Sequence, residues 1–339
     1  MDLSIVIVNW NSTNYLRKCL RSVYFNTKGL GFEVIVVDNA SYDGCGEMLQ
    51  REFLDVRFIQ SSENLGFARA NNLGFEESTG RKVLFLNPDT EVFGPALERL
   101  VAALDSDPAI AIVGPRVLNP DLSVQNSCIQ RFPSIFNHLL SSDYLRAKFP
   151  RARIWGTRPL LENSSAVANV EVIPGVCMMI RRDAFKEAGM FNPGYFMYCE
   201  DVDLCYEVRK SGRRVCYVGE ATVIHHGGGS SRSKPESHYA SIMIRQSALV
   251  FLRARRGRTY AALYRMTAAM AGLTRCGLAV IPLSLPLGSA TRVRWANAFT
   301  RWLKVFRWAI GRERWAAEEG PKRLRRNPDP LRVGKSMRQ

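Results

Sequence analysis

The sequence predicts an α/β protein built on a doubly wound, largely parallel sheet, and three observations predict it. Apolar runs and helical patterns alternate through residues 1–113. The runs are continuous rather than alternating, as in strands buried on both faces. Two acids, Asp38 and Asp89, stand just past the ends of such runs. That is the edge where open α/β sheets bind ligands.

Leu3–Val8 is the first buried run. Ser12, Thr13 or Asn14 can cap the helix that follows, with Leu16, Leu20, Val23 and Tyr24 at helical spacing. Val34–Val37 makes a second strand ending at Asp38. Gly44–Phe53 reads as a helix, Val56–Gln60 as a short strand and Phe67–Ser78 as a helix. Lys82–Leu86 is a further apolar strand, ended by Asn87-Pro88-Asp89. Pro95 opens a helix to about Asp105, since proline is tolerated in a first turn. Ile110–Val113 is again a strand. Residues 119–170 carry no regular pattern. Order returns at Glu171–Ile180, broken by Pro174-Gly175. A helix over Val202–Ser211 and two strands, Arg214–Val218 and Ala221–His225, follow. Gly227-Gly228-Gly229-Ser230-Ser231 suits no regular element.

The chain has 339 residues, 46% of them hydrophobic. That is enough for one large α/β domain with an appendage. The net charge of +16 is unevenly placed: residues 1–235 carry 26 basic and 26 acidic side chains, residues 236–339 carry 21 and 5. A neutral body with a basic end points to an anionic surface, phospholipid or nucleic acid, as partner of that end. His238 to about Arg256 reads as a helix. Ala261–Ala290 is apolar but crossed by Arg265 and Arg275. The uncharged stretch Cys276–Thr291 is too short to span a bilayer, and its prolines argue against a regular helix. Beyond it, Trp295, Phe299, Trp302, Val305, Phe306 and Trp308 alternate with arginines, as in a helix lying in an interface. Lys322–Gln339 is polar, basic and proline-containing, and is predicted to be disordered. The chain thus divides into an α/β domain over 1–235, a helical, membrane-leaning extension over 236–320 and a basic disordered tail over 321–339.

Several chemistries are disfavoured. The eight cysteines are scattered without a CxxC pair, which argues against zinc and for a reducing compartment. The first residues, Met1-Asp2-Leu3-Ser4, bring an early acid and no basic region, unlike a signal peptide, so the chain is expected on the cytoplasmic side. The turn after the first strand, Val8-Asn9-Trp10-Asn11, is not a dinucleotide loop. No phosphate-binding GxxxxGK[ST] loop and no GxSxG elbow occurs.

Four places can carry chemistry. Asp38, before Asn39-Ala40-Ser41, is either a turn acid bonding its own backbone or a carboxylate receiving a nucleotide's N–H or hydroxyl groups. Asp89, at the tip of a very apolar strand, can hold a divalent ion against diphosphate oxygens. Glu200, Asp201 and Asp203 crowd three charges at the start of a helix. Helix polarity alone would favour them there, but mutual repulsion would also raise a pKa toward that of a general base. His225-His226 ends a strand before glycines and serines whose N–H groups could cradle phosphate.

Together these segments resemble a known family. Ser4–Ser12 (SIVIVNWNS), Val36–Gly44 (VVDNASYDG), Asn64–Asn72 (NLGFARANN), Leu86–Thr90 (LNPDT), Pro174–Phe185 and Glu200–Leu204 (EDVDL) are similar, in order and spacing, to family 2 of the inverting glycosyltransferases. The likeness covers about residues 3–232 and is greatest to bacterial rhamnosyltransferase-like enzymes of cell-surface polysaccharide assembly. It implies a GT-A type fold, a mixed, mostly parallel sheet flanked by helices, here with a C-terminal helical basic extension. It implies that Val8, Asn9 and Asp38 line a base and ribose pocket, with Asn64, Gly66 and Asn72 shaping it from the next loop. Asp89 matches the second acid of the family's DxD metal motif, whose first acid is here Asn87. His225 matches a residue that completes the metal shell in some relatives, with His226 beside it as the alternative. Asp201 matches the catalytic base, with Glu200 next to it.

The resemblance further implies a Mg²⁺ or Mn²⁺ cofactor, a nucleotide-sugar donor with L-rhamnose as the first sugar to consider, and a glycan or polyprenyl-linked saccharide acceptor. It places the protein on the inner face of the plasma membrane, its basic end on anionic lipid. A non-catalytic nucleotide-sugar scaffold at the membrane is the rival reading, and it should have lost one of Asp38, Asp89 and Asp201. Nucleic acid is not expected as a partner, because the body is neutral and carries no recognition motif.

Overall fold

The computed structural model describes residues 1–140, 145, 148–161, 167–227, 238–286 and 288–317. The tail over 321–339, and the glycines and serines at 228–231 considered above as a phosphate cradle, lie outside these residues.

Nine strands form one sheet among the described residues: β1 (Leu3–Asn9), β2 (Phe32–Asp38), β3 (Arg57–Gln60), β4 (Lys82–Leu86), β5 (Thr90–Phe93), β6 (Ile110–Leu118), β7 (Val167–Asn169), β8 (Cys177–Arg181) and β9 (Arg214–His225). Their order is β3-β2-β1-β4-β8-β6-β9-β5, with β7 also on β9. β3, β2, β1 and β4 run parallel, as do β6 and β9. β8 lies antiparallel between β4 and β6, and β5 and β7 lie antiparallel on β9. The sheet is therefore mixed, and its parallel character belongs mainly to the N-terminal half.

The helices that position the site are α1 (Thr13–Asn26), α2 (Cys45–Glu52), α3 (Gly66–Glu76), α4 (Ala96–Asp105), α5 (Arg182–Glu187), α6 (Glu200–Lys210), α7 (Tyr239–Leu283) and α8 (Ser289–Ala309). α3 lies close on the sheet because Gly74 has no side chain: a Cβ there would stand 2.4 Å from Val6 Cγ1. Phe75, Phe85, Phe185 and Phe191 fill the core beneath it, with ring centroids 4.7–5.2 Å apart along the chain of contacts. All eight cysteines are buried as free thiols, and all but Cys276 are small apolar fillers of the body's core.

The strand β7 lies in the stretch read as patternless and the helix α5 was not expected, and three further features differ from the sequence reading. β5 was not foreseen, being four residues whose polar Thr90 and Glu91 hide a strand. The two strands expected over 214–225 are one: β9 continues through a register shift opposite Pro115 and Arg116, and the irregularity at Gly219-Glu220 is absorbed as a bulge. The stretch from Cys276 is helical after all. α7 carries Pro282 in its last turn and ends at Leu283, and α8 resumes at Ser289. Proline there withholds a single N–H from the Leu278 carbonyl, and the helix stops one residue later. The one break inside α7 is at Gly257, whose φ of 87° and ψ of 171° are not helical.

α7 and α8 form an antiparallel hairpin. Arg265 donates to the carbonyl of Ala309, and the Cys276 thiol to that of Phe299. Gly272 lets the two backbones meet: a Cβ there would be 3.1 Å from Phe306. The first half of α7 joins the body's own core through Ile242, Met243, Ala248, Phe251 and Leu252. Arg255 reaches from it to Asp203 and Glu207 on α6.

Candidate active site

The strand ends bring the candidate residues to one edge of the sheet. Asn9 ends β1 and Asp38 ends β2, paired in register. Asn87–Asp89 follows the end of β4. β8 runs the opposite way, so its entry, Gly175-Val176, lies at the same edge, and the Asn87 N–H donates to Val176 O at 2.9 Å. His225 ends β9 at this edge, opposite Thr90.

The first group surrounds Asp38. Its carboxylate accepts from Asn9 Nδ2 at 2.8 Å, Gln60 Nε2 at 2.7 Å, the Ser41 N–H at 3.1 Å and the Ser41 hydroxyl. Burial alone would raise this carboxyl's pKa, but the bonds from Ser41, Gln60 and Asn9 outweigh it and hold it below the ordinary value. Asp38 is thus a fixed anion that organises its own turn at the sheet edge. Asn9 is fully buried and its Oδ1 has no partner. An orphan acceptor at a strand end suits a ligand N–H such as a pyrimidine imide. Val8 packs beside it against Ile35 and Val37. Asp43, which the sequence did not mark, accepts from Asn9 Nδ2 at 3.1 Å and from the Thr13 N–H at 3.0 Å.

Asn39, Asn64 and Gly66 are bonded together next to this group. Asn64 Oδ1 accepts from Asn39 Nδ2 at 3.0 Å and from the Gly66 N–H at 2.9 Å. Gly66 has φ 76°, and a Cβ on it would stand 2.3 Å from the Phe196 carbonyl oxygen. Asn72 acts at one remove. Its amide donates to Phe191 O at 2.7 Å and accepts from the Phe191 N–H at 3.1 Å, so it shapes the site by clamping the Phe191–Tyr198 segment. Gly66→Ala forces both the backbone angle and this contact. We expect it to cost about 1–3 kcal/mol and to loosen the segment, read as a lower denaturation midpoint together with weaker nucleotide binding.

The second group is Asp89 with His225. Asp89 is buried, and its Oδ1 lies 3.3 Å from His225 Nε2. Gln125 fixes the histidine. Its Nε2 donates to the His225 carbonyl at 2.8 Å, which leaves its Oε1 facing Nδ1 at 3.0 Å. The ring is thereby oriented with Nε2 toward Asp89. His226 turns away, to Glu91 Oε1 at 2.6 Å and onto the Tyr15 ring. A carboxylate and a histidine nitrogen facing each other form a donor set that fits one divalent ion. The ligand atoms of Asp38, Asp43 and Cys45 also lie within 4.8 Å of one another. Their carboxylates already receive several donors, and burial pushes the Cys45 thiol's pKa up, so this group favours hydrogen-bonding a ligand over binding a cation.

The third group opens α6. Tyr198 and Cys199 both have left-handed backbones, φ 69° and 66°, just before Glu200. Such strain persists only where the surroundings impose it. Asp201 Oδ2 accepts from the Gly175 N–H at 2.9 Å and Oδ1 from the Val202 N–H at 2.8 Å. Glu200 is buried with its Oε2 unpartnered. Burial raises both carboxyls. Glu200 rises further because the Asp201 charge adds to its burial, while backbone N–H groups restrain Asp201. A proton shared by the pair is thereby favoured on Glu200 over Asp201. Asp203 does not join them, contrary to the three-charge reading, because Arg255 Nη2 neutralises it at 2.6 Å.

A family profile described as glycosyl transferase family 2 matches residues 4–189. The chain is 31% identical over 252 residues to the N-acetylglucosaminyl-diphospho-decaprenol L-rhamnosyltransferase of Mycobacterium tuberculosis, covering 70% of this chain and 80% of that one. This chain belongs to glycosyltransferase family 2. It is therefore a glycosyltransferase. The rhamnosyltransferase WbbL of Escherichia coli K12 is 25% identical over 238 residues, covering 68% of this chain and 85% of that one. Among solved structures, a Pyrobaculum calidifontis mannosyltransferase in complex with GDP-Man and Mn²⁺ superposes with a TM-score of 0.53 at 16% identity, over 96% of this chain and 87% of that one. GalNAc-T7 with UDP, GalNAc and Mn²⁺ gives 0.56 at 16% identity, over 94% and 57%. The glycosyltransferase has the GT-A fold, and its sheet edge carries the three groups of residues described above.

Proposed function

We propose that this glycosyltransferase moves a sugar, L-rhamnose first among candidates, from a nucleoside-diphosphate donor to a hydroxyl of a lipid-linked saccharide, inverting the anomeric centre. The observation that carries the reading is the single edge holding a nucleoside-type pocket at Asn9 and Asp38, a cation-type pair at Asp89 and His225, and a raised carboxylate at Asp201. The sugar and the lipid diphosphate come from the name of the mycobacterial relative.

Asp38 and Asn9 hold the base and ribose. Asp201, aimed by the Gly175 and Val202 N–H groups, takes the proton from the acceptor hydroxyl, whose oxygen attacks the anomeric carbon from the face opposite the diphosphate. Glu200 stays neutral beside it and keeps the local charge to one. Asp89 and His225 would hold a Mg²⁺ or Mn²⁺ ion, which when bound supplies charge stabilisation to the leaving diphosphate. Asn87 in place of an acid leaves Asp89 as the one carboxylate of the LNPDT turn. Screening nucleotide sugars with Mn²⁺ for nucleoside-diphosphate release and thermal shift tests the reading. One donor should stabilise the protein only with metal, and a panel in which none does, even with lipid-linked acceptor added, would overturn it.

The same reading places the protein on the cytoplasmic face of the membrane. Leu263, Met266, Met270, Leu273 and Ile281 line one side of α7 at helical spacing, and Met270 is 62% and Leu273 61% exposed. With the arginines of α8 this makes a surface suited to an anionic leaflet. Flotation with anionic vesicles at physiological salt should lift the full chain, and Met270→Glu with Leu273→Glu should leave it at the bottom. A wild-type chain that does not float removes the membrane placement.

A further inference from the structure

A cavity of about 910 Å³ opens between the Asn126–Asn137 segment, the start of α6 and the α7–α8 hairpin. Its wall includes Arg245, Arg275 and Arg301, and no acidic residue. The three guanidinium carbons stand 5.3, 4.2 and 5.2 Å from the ring centroid of one indole, Trp302. Arg245 is held by the Ser241 carbonyl at 2.7 Å and hydroxyl at 2.8 Å, and Arg275 by the Leu139 carbonyl at 3.0 Å. Elsewhere in the hairpin Arg255 pairs with Asp203 and Glu207 and Arg307 with Glu313, whereas among the described residues Arg245, Arg275 and Arg301 have no carboxylate partner. Burial, with Arg301 and Arg275 nearby, lowers the pKa of Arg245, so gathering these cations costs free energy in the unliganded protein.

Cations fixed together without a counter-charge call for a polyanion, and the planar guanidinium is the group best matched to phosphoryl oxygens. The donor's diphosphate is not that polyanion, because neither Asp89 nor His225 lines this cavity. Cys199 and Val202 do line it, on either side of Glu200 and Asp201. The anion therefore sits on the acceptor side of the base. Leu278 and Trp295, also in the wall and exposed, lead from it toward the apolar side of α7.

We propose that this cavity binds the diphosphate of a prenyl-diphosphate-linked acceptor, a proposal that rests on the lipid-linked reading of the reaction. The arginines grip the diphosphate, the lipid leaves past Leu278 and Trp295, and the acceptor sugar is left facing Asp201.

The test titrates the full chain, in EDTA and without donor, with farnesyl diphosphate, inorganic diphosphate and farnesol, followed by calorimetry. Arg301→Gln, at an exposed position, keeps the fold intact, and Arg275→Gln is added to it. Farnesyl diphosphate should bind more tightly than inorganic diphosphate, and farnesol should not bind. Each substitution should weaken binding by about 10-fold, the scale of a charge-assisted hydrogen bond. Nucleoside diphosphate with Mn²⁺ should bind these variants as it binds the wild type. Equal farnesyl diphosphate binding by wild type and double variant overturns the proposal, as does no binding at all. Inorganic diphosphate binding as tightly as the prenyl form also overturns it, in favour of a soluble anion. A wild type that binds farnesyl diphosphate but no nucleotide sugar would sink the transferase reading and leave this cavity standing.

Discussion

Replacing Asp201 by asparagine is expected to lower kcat by about 10²–10⁴-fold while leaving donor affinity unchanged, the scale of losing a general base. Asparagine keeps the size of the side chain, but its single carbonyl oxygen can accept only one of the Gly175 and Val202 N–H groups, so one of these two bonds is lost together with the capacity to take a proton. The pH dependence separates this from a structural effect. Burial raises the Asp201 carboxyl, and burial with the Asp201 charge raises Glu200 further. A base works deprotonated, so kcat/KM should fall as pH drops through the pair's raised range, which begins above the ordinary aspartate value of 3.8. Asp201→Asn should flatten that limb. Glu200→Gln should retain it, because a neutral amide imitates the protonated form that burial and the Asp201 charge favour on Glu200. If Glu200→Gln abolished the limb and Asp201→Asn preserved it, the two roles would be exchanged.

Asp89→Ala is expected to abolish the metal dependence of donor binding. Removing an outer partner of a metal ligand costs about 10–100-fold in affinity, and removing the ligand itself should exceed that. The substitution also deprives His225 Nε2 of the group 3.3 Å away. Calorimetric titration of Mn²⁺ in the presence of nucleoside diphosphate would read the loss directly. Gln125→Ala supplies the graded control. It leaves both ligands in place but frees the His225 ring, so it should fall within the outer-partner range. An Asp89→Ala protein with an unchanged metal titration would move the cation elsewhere, and the acidic group at Asp38 and Asp43 would be the next place to look.

Much of the fold was legible because the parallel strands are buried on both faces and so stand out as unbroken apolar runs. β1, β2 and β4 begin or end within two residues of their expected limits. β5 and the bulge in β9 were not legible, because a short strand of Thr90-Glu91-Val92-Phe93 and a slip in register leave no periodic mark. For the site, Asp38, Asp89 and Asp201 could be found as acids at the ends of elements. Gln125 could not. It comes from the patternless stretch after β6 and meets His225 only through tertiary pairing. Gly175 was visible only as a break in an apolar run. Its N–H proves to be what orients Asp201. Arg255 lay hidden in a basic run that reads as surface charge, whereas it is the counter-ion of a buried carboxylate.

That last pairing bears on how such an enzyme can evolve. A membrane-seeking segment is often pictured as a module that can be exchanged by fusion while the catalytic unit travels unchanged. Here Asp203 is 3% exposed, one turn along the helix from Glu200 and Asp201, and its cation is supplied from the far side of the supposed boundary. A lineage that traded this hairpin for another segment would leave a carboxylate stranded inside the protein unless the newcomer brought a cation to the same spot or Asp203 changed with it. Inheritance of the two parts is thereby coupled, and they form one unit of selection.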